Sequence, residues 1–354
     1  MSQQSSHLTT GRKDDHLRIN LEEDVSFQGL TTGLEHYHFT HQALPELNLV
    51  DVCTSTTFLG KRFSYPLLIA SMTGGSPDAA HINRRLAAVA QEFGIGMGLG
   101  SLRVALERPE TAWTFQVREY APDILLLANL GAVQLNYGYG PEECRRAVEM
   151  TGADGLFLHL NPLQEALQPE GDTNFAGLVR RIEAVCRVLE VPVIVKEVGW
   201  GLSAQAVRWL VEAGVAALDV AGAGGTSWSQ VEMHRSRDAV QREVAASFRA
   251  WGIPTAEAVQ QARRVAPELP LIASGGLRDG LEIAKTLALG ADVASLAGPL
   301  LRAAVASLES LRERVEIITR QLRIAMFAAG AEDIPALQRT PLRPPRSSET
   351  SEVF

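Results

Sequence analysis

The feature that most limits how this chain can fold is a repeated pattern. A short, unbroken apolar run stops at Gly, Ser, Asn or another polar residue, and an amphipathic helical stretch follows. The runs are PLLIASM (66–72), GIGMGLG (94–100), ILLLANL (124–130), GLFLHL (155–160), VPVIVKEV (191–198), ALDVAG (217–222), LPLIASGG (269–276) and ADVASLAG (291–298). Continuous apolar runs, unlike alternating ones, mark parallel strands covered on both faces. The partners read as helices. Ala79 to Phe93 carries Ile82, Leu86, Val89, Ala90 and Phe93 at helical spacing. Ser203 to Ala213 opens on a Ser cap and closes before Gly214, and Arg278 to Leu289 closes before Gly290. Strand–helix units at intervals of roughly 30 residues predict an α/β chain folded as one (β/α)8 TIM barrel. A doubly wound open sheet is the alternative, but no GxGxxG follows the first strand.

The domain limits follow from where the pattern stops. Residues 1–10 and 338–354 are polar, without periodicity, and are expected to be disordered. Residues 11–337 form the barrel, with an N-terminal extension and an insertion after strand six between Thr226 and Pro267. A length of 354 residues is compatible with one α/β barrel. The formal net charge of -8 argues against a nucleic-acid partner. Cys53, Cys144 and Cys186 show no metal spacing and read as reduced thiols. The N-terminus has no apolar signal segment. The longest charge-free stretch, Ile124 to Pro141, is broken by amides and glycines, so no membrane span is expected. A cytoplasmic protein is the expectation.

In a barrel of this kind, ligand groups gather at the C-terminal ends of the strands. Polar residues collect there: Ser71-Met72-Thr73-Gly74, Ser101-Leu102-Arg103, Asn129, His159-Leu160-Asn161, Lys196-Glu197, Gly222 to Thr226, Ser274-Gly275-Gly276 and Ala297-Gly298. The strand bodies read as nearly free of such groups. Gly275-Gly276 would let backbone N–H groups approach a ligand, and Ala297-Gly298-Pro299 opens a helix whose N-terminus favours an anion. Together they predict a phosphate site. Lys196, alone in an apolar strand, fits a partner for a reduced flavin, with Thr73, Ser101 and Asn129 on the ring edge. A Schiff base, or an ion pair with Glu197, remains open. On residue chemistry alone, Arg12-Lys13 reads as a solvated basic end, and His159 serves structure or chemistry equally well.

The motifs Arg12-Lys13-Asp14-Asp15-His16, Met72-Thr73-Gly74-Gly75, Gly100-Ser101-Leu102-Arg103, HLNPLQEALQPEGD (159–172), VKEVGWG, DVAGAGGTSW, WGIPT and SGGLRDG occur in that order between residues 12 and 298. In these motifs the chain resembles the type 2 isopentenyl-diphosphate isomerases, FMN-dependent barrels of the FMN-dependent dehydrogenase type. The resemblance implies interconversion of isopentenyl and dimethylallyl diphosphate, with reduced FMN, Mg²⁺ and NADPH as electron donor, in a homotetramer or homo-octamer. It implies that Ser71, Met72, Thr73, Gly74, Ser101, Asn129, Lys196 and Thr226 hold the flavin ring and ribityl chain. Gly275, Gly276, Arg278, Ala297 and Gly298 would hold its phosphate. Arg12, Lys13, Ser101 and Arg103 would meet the substrate diphosphate, and His159, Asn161 and Gln164 would line its pocket. Glu165 would bind Mg²⁺. Because a double bond moves without net redox change, the flavin is expected to act as acid and base at N5, with Gln164, Glu232 and His159 as the catalytic side chains beside it.

An FMN-dependent 2-hydroxy-acid oxidase is the rival on the same barrel, but His234 is the one late His and lies in the insertion. A non-catalytic flavin- or phosphate-binding barrel would not need the polar cluster of strand four. Within that cluster, the PEGD end reads as the connection to the next helix, with no role for Glu170.

Overall fold

The computed structural model describes residues 15–343. Arg12, Lys13, the expected disordered first ten residues, and the tail from 344 onward lie outside the described residues. Eight parallel strands close into a barrel in chain order. They are β1 (Leu67–Ile69), β2 (Gly96–Gly98), β3 (Leu126–Gly131), β4 (Gly155–His159), β5 (Val193–Lys196), β6 (Ala217–Asp219), β7 (Leu271–Ala273) and β8 (Val293–Leu296). Each expected apolar run contains one of them, and the open-sheet alternative falls with the closure.

The runs are continuous because the two faces of each strand bury against different things. Leu67, Ile69, Leu126, Leu156, Val195, Leu218 and Leu271 face outward into the layer shared with the helices. Leu68, Leu127, Phe157, Ile194, Ala217, Ile272 and Val293 pack together inside the barrel with Phe58 and Phe63. Phe58 and Phe63 arrive on a hairpin, Thr56–Phe58 paired with Lys61–Phe63, whose aromatic side chains join the interior cluster. Strand β2 sends no side chain inward. A Cβ on Gly96 would lie 2.9 Å from the Phe63 ring, and one on Gly98 would lie 2.6 Å from Ser71 Oγ. The glycines of GIGMGLG therefore make room for neighbours that fill the interior.

The expected helices form with small shifts at their ends. Pro77–Phe93 begins two residues before Ala79, with Ser76 as its cap. Ala204–Glu212 is capped by Ser203, and Gly280–Ala288 by Asp279, whose side chain accepts from Leu281 and Glu282. The insertion after β6 holds two helices, Trp228–Arg235 and Ala239–Ser247, before the barrel helix Thr255–Val265. The expected boundary at 337 needs correction: it falls inside the helix Ile334–Arg339, and the chain continues to Leu342–Arg343, antiparallel to His38–Phe39. Pairing with the N-terminal extension supplies the order that the sequence of this stretch does not suggest.

A clamp recurs on opposite sides of the barrel, at the N-terminal ends of β3/β4 and of β7/β8. Asp154 accepts from Arg118 Nη2 at 2.7 Å and from the Leu126 N–H at 2.9 Å. Asp292 accepts from Arg263 Nη2 at 2.8 Å and from the Leu271 N–H at 2.8 Å. Each Arg also donates to the carbonyl of the glycine two residues before its Asp, Gly152 or Gly290. The two clamps share one geometry, and they are remote from the strand ends where ligands bind, so their role is stability. Asp292→Asn and Asp154→Asn are each expected to cost about 2 kcal/mol in urea unfolding, for lost charge-assisted bonds, and to add in the double variant because the sites share no partner. A double variant no less stable than either single variant would contradict this.

Candidate active site

The inward register that packs the barrel also builds the site. Two residues beyond Leu127, Phe157, Ile194, Ala217, Ile272 and Val293 stand Asn129, His159, Lys196, Asp219, Ser274 and Ser295. Side chains two apart on a strand share a face, so a polar layer sits directly on the apolar one. Asn129, Lys196, Asp219, Ser274 and Ser295 are all buried. The expectation that strand bodies lack polar groups therefore needs correction at Asp219 and Ser295, which sit inside β6 and β8.

Within this layer His159 Nδ1–H donates to Asn129 Oδ1 at 2.8 Å, which fixes the imidazole. Lys196 Nζ donates to the Glu197 carbonyl oxygen at 2.7 Å. The Glu197 carboxylate turns away and collects the N–H groups of Val198, Gly199, Trp200 and Gly201, so the ion-pair alternative for Lys196 is not the arrangement formed. Burial lowers the Lys196 ammonium from its ordinary value, against Asp219 and Glu197, which favour its charge. Asp219, paired in register with Lys196, accepts from Ser274 Oγ at 2.6 Å. Burial raises its carboxyl, opposed by Lys196 and Ser274. Ser71 Oγ and Ser295 Oγ are buried with no partner.

Above the layer, β4 runs into the short helix Pro162–Leu167, begun by Pro at its first position. Residues four apart share a helix face, and two such pairs work here. Asn161 Nδ2 donates to Glu165 Oε1 at 2.8 Å and to Gln164 Oε1 at 3.2 Å, leaving Asn161 Oδ1 buried without a partner. Gln164 and Gln168 both donate to Glu232 Oε1, at 3.4 and 2.7 Å. Glu232, deeply buried on the insertion helix Trp228–Arg235, also accepts from His16 Nε2 at 3.0 Å and from Arg235 Nε at 2.8 Å. Burial pushes its carboxyl up, but His16 and Arg235 outweigh that and hold it down at about 2. His16 also meets the Trp228 ring edge-on, which ties the N-terminal segment to the insertion. Arg103, half-buried after β2, pairs with Glu107 at 2.8 Å and with Asp172 at 2.7 Å.

The late strand ends pack backbone against backbone. A Cβ on Gly275 would sit 2.0 Å from the Gly222 carbonyl oxygen, and one on Gly276 would sit 2.6 Å from the Gly224 carbonyl carbon. Both glycines also hold positive φ, 101° and 75°. Close packing of the β6 and β7 loops thus requires both glycines, independently of any ligand. The helix Gly298–Ala306 starts after exposed Ala297 with no side chain capping its N-terminus. Arg278 is exposed. At the front, Thr73 and Gly74 are buried and Met72 and Ser101 are half-buried. A Cβ on Gly74 would lie 1.9 Å from the Phe115 ring. Thr226 reaches Asn20 at 3.4 Å. Among the described residues, no three His, Cys, Asp or Glu side chains gather as a metal cluster, and no helix is long and apolar enough to cross a membrane.

The residues expected from the sequence thus divide into the inner layer, the loops after β1 and β2, the Pro162–Leu167 shelf, Glu232 on the insertion helix and the late loops, with Arg12 and Lys13 outside the described residues. The sequence assigns no site role to His16, Gln168, Asp172, Asp219, Arg235 or Ser295, which the structure adds. Period-two reading of β6 and β8 finds Asp219 and Ser295, and four-residue spacing from Gln164 finds Gln168. His16 and Arg235 join the site only through tertiary contact.

Comparison with known proteins shows the family. Residues 163–344 match the FMN-dependent dehydrogenase family. Solved structures of mandelate oxidase share the fold: the one with 3,3-difluoro-2-hydroxy-3-phenylpropionic acid has a TM-score of 0.63 at 18% identity, covering 95% of this chain and 98% of that one. The isopentenyl-diphosphate delta-isomerase of a Nostoc strain is 53% identical over 335 residues, covering 95% of this chain and 96% of the relative. That of a Synechococcus strain is 56% identical over 328 residues, covering 93% and 94%. That of Rickettsia bellii is 50% identical over 336 residues, covering 95% and 98%. At this identity over nearly the whole length of both partners, the chain belongs to the isopentenyl-diphosphate delta-isomerase family, a family of isomerases.

Proposed function

We propose that this protein interconverts isopentenyl diphosphate and dimethylallyl diphosphate, using reduced FMN, Mg²⁺ and NADPH as reductant. The observation that carries the reading is the Pro162–Leu167 shelf with the turn just after it: Asp172 links Arg103 to Glu165, and Gln164 and Gln168 reach Glu232, beside the buried Lys196 layer. An anion-binding guanidinium, an oxygen donor for a hard cation and a buried carboxylate that stabilises developing positive charge are what this reaction needs together.

The side chains suit these groups. Ser71 Oγ and Ser295 Oγ are buried without partners, and the buried Lys196 Nζ donates to a carbonyl oxygen. Such groups suit a polar ring held against them, with Lys196 favouring added negative charge. The uncapped helix start at Gly298 suits a phosphate. Glu165, with the unpartnered Asn161 Oδ1 beside it, offers Mg²⁺ two oxygen donors, and diphosphate and water complete such a shell. Reduced FMN, when bound, supplies acid and base chemistry at N5.

The chain's own residues do the rest. Arg103, with Arg12 and Lys13, neutralises the diphosphate, and Ser101 binds beside it. His159, held by Asn129, orients the substrate, and Gln164 positions it from the shelf. Glu232, held near 2, stays a carboxylate at neutral pH and stabilises positive charge better than it retains a proton. Its depressed value carries a sign for stability. The contribution is fully present above the ordinary carboxylate range, and is lost as pH falls from about 4.5 toward about 2. The oxidase reading is disfavoured because His234 lies on the insertion helix at 3.8 Å from Glu23, away from the inner layer.

Three outcomes are expected. Incubation with isopentenyl diphosphate, FMN, NADPH and Mg²⁺ forms dimethylallyl diphosphate, whereas lactate or glycolate turnover with peroxide release would favour the oxidase. Glu165→Gln lowers activity at least tenfold and raises the Mg²⁺ concentration needed for half-maximal rate; an unchanged Mg²⁺ dependence would move the metal elsewhere. Lys196→Met lowers the reduction potential of bound FMN, measured by dye equilibration, and an unchanged potential would remove Lys196 from the ring.

A further inference from the structure

The PEGD turn, Pro169 to Asp172, is more than the connection that its sequence suggests. Glu170 Oε1 pairs with Arg235 Nη2 at 2.7 Å, and the same guanidinium holds Glu232 Oε2 through Nε at 2.8 Å. Asp172 Oδ2 accepts from Arg103 Nη1 at 2.7 Å and from Gln134 Nε2 at 2.9 Å, while its own N–H donates to Glu165 Oε2 at 2.7 Å. Between them, a Cβ on Gly171 would lie 1.8 Å from the Glu165 carbonyl oxygen, so the turn is pressed onto the Pro162–Leu167 helix at backbone contact. Four residues thus reach both halves of the site.

We propose that this turn is a positioning latch. Glu170 fixes the insertion helix, and with it Glu232, by sharing Arg235. Asp172 fixes Arg103 in the orientation that receives the diphosphate, and its backbone aims the Glu165 carboxylate. Neither side chain need touch substrate. Arg235 lies between two carboxylates, so it is anchored from the turn and cannot follow the insertion helix outward without breaking a charge-assisted bond. Gln241 Nε2, donating to the Leu167 carbonyl, braces the second insertion helix on the same short helix.

The kinetic arm of the test rests on the isomerase reading; the exchange arm does not. In the full-length, FMN-loaded protein without substrate, Glu170→Gln is expected to speed amide hydrogen exchange in 228–235 about tenfold, with the barrel strands unchanged. With isopentenyl diphosphate it lowers kcat about tenfold and leaves KM within about twofold, and Glu170→Asp recovers part of the rate. Asp172→Asn shows the opposite split: KM rises about tenfold, and exchange in 228–235 stays at the parent level. Unchanged exchange in Glu170→Gln overturns the latch, whatever the rate does. Equal loss of kcat and KM in both variants, with a fall in melting temperature, assigns the turn to folding alone and overturns it as well. Faster exchange in Glu170→Gln, in a parent protein that makes no dimethylallyl diphosphate, would sink the isomerase reading and leave the latch standing.

Discussion

Everything in this molecule depends on one constraint of strand geometry, that side chains two apart point the same way. In the barrel it stacks an apolar floor, Leu127, Phe157, Ile194, Ala217, Ile272 and Val293, under a polar layer, Asn129, His159, Lys196, Asp219, Ser274 and Ser295. The floor, sealed by Phe58 and Phe63, makes the upper groups hard to hydrate from below. That burial is what lowers the Lys196 ammonium and raises the Asp219 carboxyl. Charge placed there acts strongly on any ligand that settles on it, because little water screens it.

A second constraint is close approach of backbone. The β6 and β7 loops touch through Gly222, Gly224, Gly275 and Gly276, and the PEGD turn touches the Pro162–Leu167 helix through Gly171. Loops that would otherwise wander are held where rigid elements put them. The site is therefore built from short segments leaning on each other, with Arg235, Asp172 and Glu232 as the polar ties.

The strand order, the barrel closure and most of the inner layer were legible in the sequence, because continuous apolar runs and their abrupt polar ends report burial on two faces. Asp219 and Ser295 escaped because each sits inside an apolar run, where a single polar residue looks like noise unless the two-residue register is followed. The glycine pair Gly275-Gly276 was legible as a place of close backbone approach, but not as a loop-to-loop contact, since its partners lie far along the chain. Arg235 carries no local signal, and His16, though it ends an N-terminal motif, gives no hint of its partner: each matters because tertiary folding brings it to Glu232. The order of Leu342–Arg343 is of the same kind, since it depends on pairing with His38–Phe39.

A fold shared with mandelate oxidases of 18–19% identity is thus also the scaffold of an isomerase family. An oxidase removes electrons from its substrate; under the proposed function, Glu165, Arg103 and Glu232 would instead serve the movement of a proton and a double bond. The most direct measurement is the anaerobic reaction of isopentenyl diphosphate in D2O, with FMN reduced beforehand, following product by mass and NADPH by absorbance. The account predicts dimethylallyl diphosphate carrying solvent deuterium, with no NADPH consumed per turnover. Product formation coupled to one NADPH each, or product without deuterium, would contradict it.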